Sequence, residues 1–116
     1  MATLALQTVA RTGLDHTLAA ASAGGDAFGN DGRVFLRVKN SHGSASRTVT
    51  FASQVPTAAV PQGAAAANVA VAVAAGKDFL FGPFDPAGFN DANGRVVVTY
   101  SSEADLTVAA VKLPLA

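Results

Sequence analysis

His16 and His42 are the two side chains whose type best suits acid–base or metal chemistry near neutral pH. His16 follows Asp15, a carboxylate that can orient an imidazole ring, and His42 lies in a Ser-His-Gly turn. Neither has a second histidine nearby at metal-ligand spacing, and the chain has no cysteine. The sequence therefore predicts no catalytic histidine, no metal site and no disulfide.

Two turns rich in Asn, Asp and Gly invite a calcium interpretation. They are residues 90–94 (Asn-Asp-Ala-Asn-Gly) and the shorter residues 30–32 (Asn-Asp-Gly). The alternating oxygen donors stop after Asn93, and no glutamate closes the loop at the twelfth position. Turn formation is the better explanation, because these residue types tolerate positive φ and hydrogen-bond their own backbone. Calcium binding stays as the alternative.

The other common catalytic patterns are missing from the sequence. No serine lies in Gly-x-Ser-x-Gly or Ser-x-x-Lys, and Gly24-Gly25 is not followed by the Gly-Lys-Ser/Thr of a phosphate-binding loop. Glu103 and Asp105 flank a turn, which is a weak arrangement for the paired carboxylates of a glycosidase. The sequence predicts a protein that is not an enzyme and needs no cofactor.

Both Asn/Asp turns open directly into β-branched strands, as a near-repeat of residues 28–34 and 89–96. Turns of this chemistry between alternating apolar segments are typical of hairpins, so we expect hairpin turns that begin strands at Arg33 and Arg95. Residues 40–44 (Asn-Ser-His-Gly-Ser) are a further predicted hairpin loop.

Period-two alternation of apolar residues predicts most of the remaining structure. The predicted strands cover residues 4–9, 34–39, 48–51, 69–73, 78–81, 96–100 and 106–111, with a weaker one at 16–21. Their spacing predicts an all-β fold, namely a single small antiparallel β-sandwich, jelly-roll-like or a related barrel, of about seven or eight strands.

Three segments leave their structure open. Residues 64–75 are alanine-rich and residues 103–113 follow a capping-box pattern, so each has a helical alternative, although the alternating valines favour strands. The long Pro/Ala-rich loop at residues 54–68 is predicted to cross between the sheets, with or without a partner contact. Residues 1–14 form a predicted N-terminal arm.

Composition predicts one domain, residues 1–116, whose surface is partly covered by other subunits. Charged residues make up 14% of the chain, and eight basic residues balance eight acidic ones. Low, balanced charge favours association and disfavours binding to nucleic acid or a membrane surface. A modest basic strip of Arg33, Arg37, Lys39 and Arg47 around Phe35 is better interpreted as a solvated or subunit-contact face. We expect synthesis in a cytoplasm, since the first residues lack a secretory signal.

Several segments of the sequence resemble the small head decoration (cement) proteins of tailed bacteriophages. The segments that carry the resemblance are residues 6–14, 25–26, 30–40, 82–84, 98–102 and 106–110. The resemblance implies a β-sandwich that binds the outside of an expanded icosahedral head, often as a trimer at local three-fold positions. It implies the major capsid protein as partner, the virion surface as location and stabilisation of the shell as function.

The alternative function is a carbohydrate- or receptor-binding β-sandwich module of a tail or fibre. For either function we expect the contact surface to draw on a few exposed apolar and basic side chains. The candidate interface residues are Leu4, Leu6, Arg33, Phe35, Arg37 and Phe84.

Overall fold

The secondary structure of the described chain is almost entirely β-strand. The computed structural model describes residues 2–54 and 68–114, which include one short helix besides the strands. The elements are β1 (Ala2–Leu4), β2 (Leu6–Thr8), β3 (Ala19–Ala20), β4 (Asp26–Gly29), β5 (Val34–Asn40), β6 (Arg47–Phe51), β7 (Val69–Val73), β8 (Asp78–Phe81), α1 (Pro86–Phe89), β9 (Arg95–Tyr100) and β10 (Leu106–Lys112).

The strands form two sheets that pack face to face, so the predicted small β-sandwich is confirmed. The first sheet has the order β1-β4-β9-β6-β7 and the second β2-β10-β5-β8, with β3 also paired to β10. The sheets are mixed rather than wholly antiparallel, because β1 pairs parallel to β4 and β2 parallel to β10. The N-terminal segment divides at Ala5 and adds one half to each sheet, so residues 2–8 border the chain's own sandwich.

Strand β5 shows why this sequence forms the sandwich. Val34, Leu36 and Val38 are fully buried, while the residues between them point to the outer face. Both neighbours of β5, β10 and β8, pair with it antiparallel. The same alternation buries Val96 and Val98 of β9 in the opposite sheet. A period of two therefore places one apolar row of each sheet in a shared core.

Phe84 lies at the centre of that core. Its ring centroid is 4.7 Å from that of Phe51 and 5.7 Å from those of Phe28 and Phe89. It is only 6% exposed, so its inclusion among the candidate interface residues is wrong. The physical reason is that the chain turns inward after β8, and aromatic rings at these separations gain more from each other than from solvent.

The predicted hairpins at residues 30–33 and 40–44 are also wrong. Each of these loops carries the chain from one sheet to the other, because β4 and β6 lie in the first sheet and β5 in the second. The turn before Arg95 joins α1, not a strand, to β9. Asn, Asp and Gly satisfy a tight turn whether or not the flanking strands pair, so local sequence does not distinguish a hairpin from a crossing loop.

The segments whose structure the sequence left open are mostly strands where they are described. Residues 69–73 and 106–112 are strands, which settles both helical alternatives as far as the described chain reaches. The weaker strand at residues 16–21 is reduced to the two residues of β3, while β4 and α1 were not predicted. Most of the Pro/Ala-rich loop, residues 55–67, lies outside the described residues.

Candidate functional site: the outer face of the second sheet

The outer face of the second sheet brings together three of the candidate interface residues. Alternation along β5 points Arg33, Phe35 and Arg37 outward. The strand register then places Leu80 of β8 beside Arg37, and Val111 of β10 beside Phe35. These side chains share one surface because three neighbouring strands run in register.

Leu80 is the feature of this face that the candidate list missed. Its side chain is 64% exposed, the largest value among the exposed large hydrophobic residues of the described chain. Phe79 and Phe81 on either side turn inward and pack against the core. The alternation of these three residues is the sequence signal for an outward Leu80.

A groove of about 460 Å³ runs along this face, beneath the segment that follows β2. Its apolar lining comes from Val9, Leu14, Leu80 and Val111. Its polar lining includes Arg37 and His16. The groove is open and mostly apolar, which suits it to an extended or protruding protein segment better than to an enclosed small molecule.

Arg37, which lines the groove, is ion-paired to Asp78. Arg37 Nε donates to the two carboxylate oxygens of Asp78 at 3.0 and 3.1 Å, and the Arg37 guanidinium makes a further short contact with Asp78. These hydrogen bonds hold the pKa of Asp78 below its usual range, with Lys39 and His16 adding weaker attraction. A half-exposed pair of this kind adds little stability, but it fixes the orientation of both side chains.

The basic strip is therefore partly neutralised. The charge of Arg37 is matched by Asp78, and Lys112 Nζ lies 3.1 Å from Asp31, whose pKa the hydrogen bond from Lys112 lowers. Arg33 and Lys39 are exposed, while Arg47 lies on β6 of the first sheet, so the strip is divided and forms no continuous cationic track on this face. Such a surface does not favour a nucleic-acid backbone.

The two candidate residues from the N-terminal segment lie elsewhere. Leu4 packs against the core at the end of the first sheet, and Leu6 is 39% exposed near Gly29. Gln7 fixes this border by bonding both backbone groups of Thr17, at 2.7 and 2.9 Å. Leu4 and Leu6 therefore belong to the border of the sandwich rather than to the groove.

The Asn/Asp turns contact each other, which the sequence analysis did not anticipate. Asn30 Nδ2 donates to Asn90 Oδ1 at 2.8 Å and to the Phe84 carbonyl at 3.0 Å, and Asn90 Nδ2 donates to the Asn30 carbonyl at 2.8 Å. Asn30 Oδ1 accepts from the Gly32 amide at 3.0 Å. The amide groups of the two near-repeats thus join two loops that lie side by side, next to the paired ends of β4 and β9.

The calcium alternative gains no support from this geometry. Asp91 Oδ1 accepts from the amides of Asn93 and Arg95 at 2.8 and 3.1 Å, so it closes its own turn. Asp31 does the same for Arg33 at 3.0 Å. Within residues 2–54 and 68–114, no group of three or more His, Cys, Asp or Glu side chains could hold a metal ion.

A buried polar pair lies on the opposite sheet. Asp26 is fully buried, and its Oδ2 accepts from the Tyr100 hydroxyl at 2.7 Å and from the Ser22 amide at 3.2 Å. Burial, and then the hydrogen bond to Asp26, raise the pKa of Tyr100. Asp26 Oδ1 has no partner among the described residues. The pair joins β4 to β9, so we interpret it as structural.

His42 and the aromatic side chains are the remaining residues whose types suit chemistry or ligand binding. His42 Nδ1 accepts from the amides of Ser44 and Ala45 at 3.0 and 2.8 Å, which stabilises the loop between β5 and β6. All seven Phe residues and Tyr100 lie in the described ranges, and each is buried or half-buried.

Comparison with protein-family models, with curated proteins and with solved structures found no match to this chain. Among residues 2–54 and 68–114, the structure contains no helix with the length and apolar character to cross a membrane.

Proposed function

We propose that this chain is a structural protein of a tailed-phage virion, a head decoration protein that binds the outside of the expanded capsid. The observation that carries the proposal is Leu80, 64% exposed within an apolar groove and framed by the Arg37–Asp78 ion pair. An exposed apolar patch with a polar rim is typical of a surface that docks another protein. The major capsid protein is the partner that the sequence resemblance supplies.

The proposed mechanism is mechanical and thermodynamic. A subunit that binds the expanded shell and not its precursor stabilises the expanded form by mass action. Many identical contacts around the shell add their effects through avidity. The balanced charge of the chain, eight basic against eight acidic residues, leaves short-range apolar contact as the main source of affinity. We expect several copies to act together, with the trimer as the arrangement that the resemblance implies.

The experiment is co-sedimentation with heads from the phage that encodes the chain. Wild-type protein is expected to pellet with expanded heads and not with unexpanded precursors. Leu80→Asp places an unpaired charge in the contact and is expected to weaken binding by about tenfold or more. Thr99→Asp is the control, because Thr99 is exposed on the outer face of the first sheet and does not line the groove.

Two results would contradict the proposal. One is wild-type protein that binds neither form of the head. The other is equal loss of binding for Leu80→Asp and Thr99→Asp, which would locate the contact outside the groove. Circular dichroism of both variants separates lost binding from lost folding.

A further inference from the structure

The four borders of the two sheets differ in how they resist pairing with another chain. An open border strand presents unpaired backbone groups, and proteins usually guard it with charge, proline or short length. The first sheet ends in β1 and β7, and the second ends in β8 and in the short strands β2 and β3. Within the described residues, β7 pairs only with β6.

Three of these borders carry a guarding feature. Strand β8 contains Asp78, which is ion-paired to Arg37, and ends just before Gly82-Pro83. Strands β1 and β2 have three residues each and β3 has two. Strand β7 differs from all of them, with five residues of sequence Val-Ala-Val-Ala-Val and no charge, proline or glycine. It is the longest border strand in the described chain and carries none of these guards.

The hydrogen-bond pattern shows which groups of β7 face outward. The amide of Ser101 donates to the Thr48 carbonyl, and the amide of Ala52 to the Val97 carbonyl, so alternate residues of β6 bond β9. The residues between them, Arg47, Val49 and Phe51, point their backbone groups toward β7. Their partners are Val73, Val71 and Val69. The amides and carbonyls of Ala70 and Ala72 therefore point away from β6, to a side where no other described strand pairs with β7.

We propose that two copies of this chain associate through β7, antiparallel about a two-fold axis that passes beside Val71. In this register Ala70 pairs with Ala72 of the second copy, and Val71 lies opposite its own equivalent. Two hydrogen-bonded pairs form, and each exchanges two backbone bonds. The contact joins two five-stranded sheets into one continuous sheet.

Self-pairing fits this strand better than pairing with a foreign one. The five residues read the same in both directions from Val71, so an antiparallel copy aligns every valine with a valine. A two-fold axis brings like groups together, and β7 has no charge that would repel its own image. The chain as a whole is also neutral, with eight basic and eight acidic residues. Val69, which is 42% exposed, gains an apolar neighbour from the second copy.

This inference is independent of the proposed capsid function, which uses a different sheet. The two proposals also differ in the number of chains that they predict in solution. Pairing about a two-fold axis gives an even number of chains, either two or, if a separate three-fold contact exists, six. The trimer that the sequence resemblance implies has an odd number of chains, so its subunits could not all be paired through β7.

The first test is the mass of the purified chain by light scattering and sedimentation equilibrium, across a concentration series. We expect an even number of chains for the wild type. Ala70→Lys/Ala72→Lys places lysines opposite each other twice in the proposed register and is expected to weaken association by about tenfold. Ala70→Lys/Ala72→Glu changes the same two exposed positions but places a lysine opposite a glutamate, and it is expected to associate like the wild type.

The second test fixes the register and uses the absence of cysteine from the chain. Val71→Cys brings two thiols together with Cα atoms about 4.5 Å apart, within the range of a disulfide. Ala72→Cys places its two thiols on Cα atoms about 8 Å apart in the same register, which is too far. We expect mild oxidation to produce a covalent dimer of the first variant and not of the second.

Three results overturn the inference. These are a wild type of one or three chains at every concentration, equal association of the two double variants, or equal disulfide formation by the two cysteine variants. Thermal unfolding of each variant shows whether the fold is retained. Binding of Leu80→Asp to phage heads is measured separately, so either proposal can fail without the other.

Discussion

The hydroxyl of Tyr100 offers the sharpest test of a single residue. It donates to the fully buried Asp26, and burial together with this bond raises the Tyr100 pKa above its ordinary value of 10.0. A phenol whose pKa is raised by folding contributes stability that is complete below pH 10 and is lost as the pH rises above it. Tyr100→Phe removes both the bond and the titration.

We therefore expect Tyr100→Phe to lower the free energy of unfolding near neutral pH by about 1–3 kcal/mol, because Asp26 loses a donor while remaining buried. The gap between wild type and variant should narrow as the pH rises from about 10, since only the wild type has this phenol to ionise. Urea unfolding of both proteins from pH 7 to pH 11 measures the gap. Parallel curves across that range would show that Tyr100 titrates normally.

The residues around Leu80 show which side-chain positions the sequence predicts and which it does not. Alternation indicated that Arg33, Phe35 and Arg37 share a face, and they do. Alternation also places Leu80 on the outer face, but it does not reach Phe84, whose burial depends on where the chain turns after β8. Phe28 and Phe51 lie 56 and 33 positions from Phe84, yet their rings are what bury it.

At the scale of elements, the pairing of β4 with β9 depends on a close approach at Gly25. This glycine has φ +106°, and a Cβ there would overlap the Val98 carbonyl and lie 3.1 Å from Thr99 Cγ2. Its neighbour Gly24 has φ +82°, but nothing lies within 4 Å of its Cβ position. Both backbone conformations would strain an L side chain, and at Gly25 a side chain would also lack space.

The matched pair Gly24→Ala and Gly25→Ala separates these two effects. We expect Gly24→Ala to cost about 1 kcal/mol, the usual penalty of a side chain at positive φ. Gly25→Ala is expected to cost about 3 kcal/mol or more, because β4 must also move away from β9. Urea midpoints measure both values. Equal losses would mean that the loop shifts freely and that β4 is not held at this point.

Strands were easier to predict than their connections. The apolar alternation of β5, β9 and β10 is visible in sequence because each has one buried face. Strand β7 alternates in the same way, although only Val73 is fully buried. Strand β4 was missed since Asp-Ala-Phe-Gly has turn composition, and its aspartate is buried only because Tyr100 reaches it from 74 positions away. The crossing loops were mistaken for hairpins for a related reason. Asn30 meets Asn90 across 60 positions, and no local pattern records such a contact.

At the scale of the whole molecule, the two sheets present different surfaces. The second sheet offers a broad outer face with an apolar groove, and the first offers an uncharged border at β7. A contact at one need not block the other, so one copy has room for both a large partner and a second copy. A neutral chain with 14% charged residues is suited to such contacts, because no long-range repulsion opposes them.

The N-terminal segment forms one border of each sheet, through β1 in the first sheet and β2 in the second. Residues 2–4 pair with β4 and residues 6–8 pair with β10, so these two strands are covered only while the segment is in place. Deleting residues 2–8 uncovers both strands and removes Leu4 from the core, so we expect a lower urea midpoint and the appearance of larger species. The association should persist when Ala70→Lys/Ala72→Lys is added, since it arises at the newly opened borders rather than at β7.

The control for this deletion keeps the borders covered. Leu4→Ala/Leu6→Ala in the full chain removes apolar contact but leaves the backbone pairing of β1 and β2 in place. It is expected to lower stability without producing larger species, because association follows from unpaired backbone rather than from lost apolar area. A truncated chain with the stability and mass of the wild type would contradict the pairing of residues 2–8. That result would favour instead the N-terminal arm predicted from the sequence, which would extend from the sandwich and could bind another protein by strand addition.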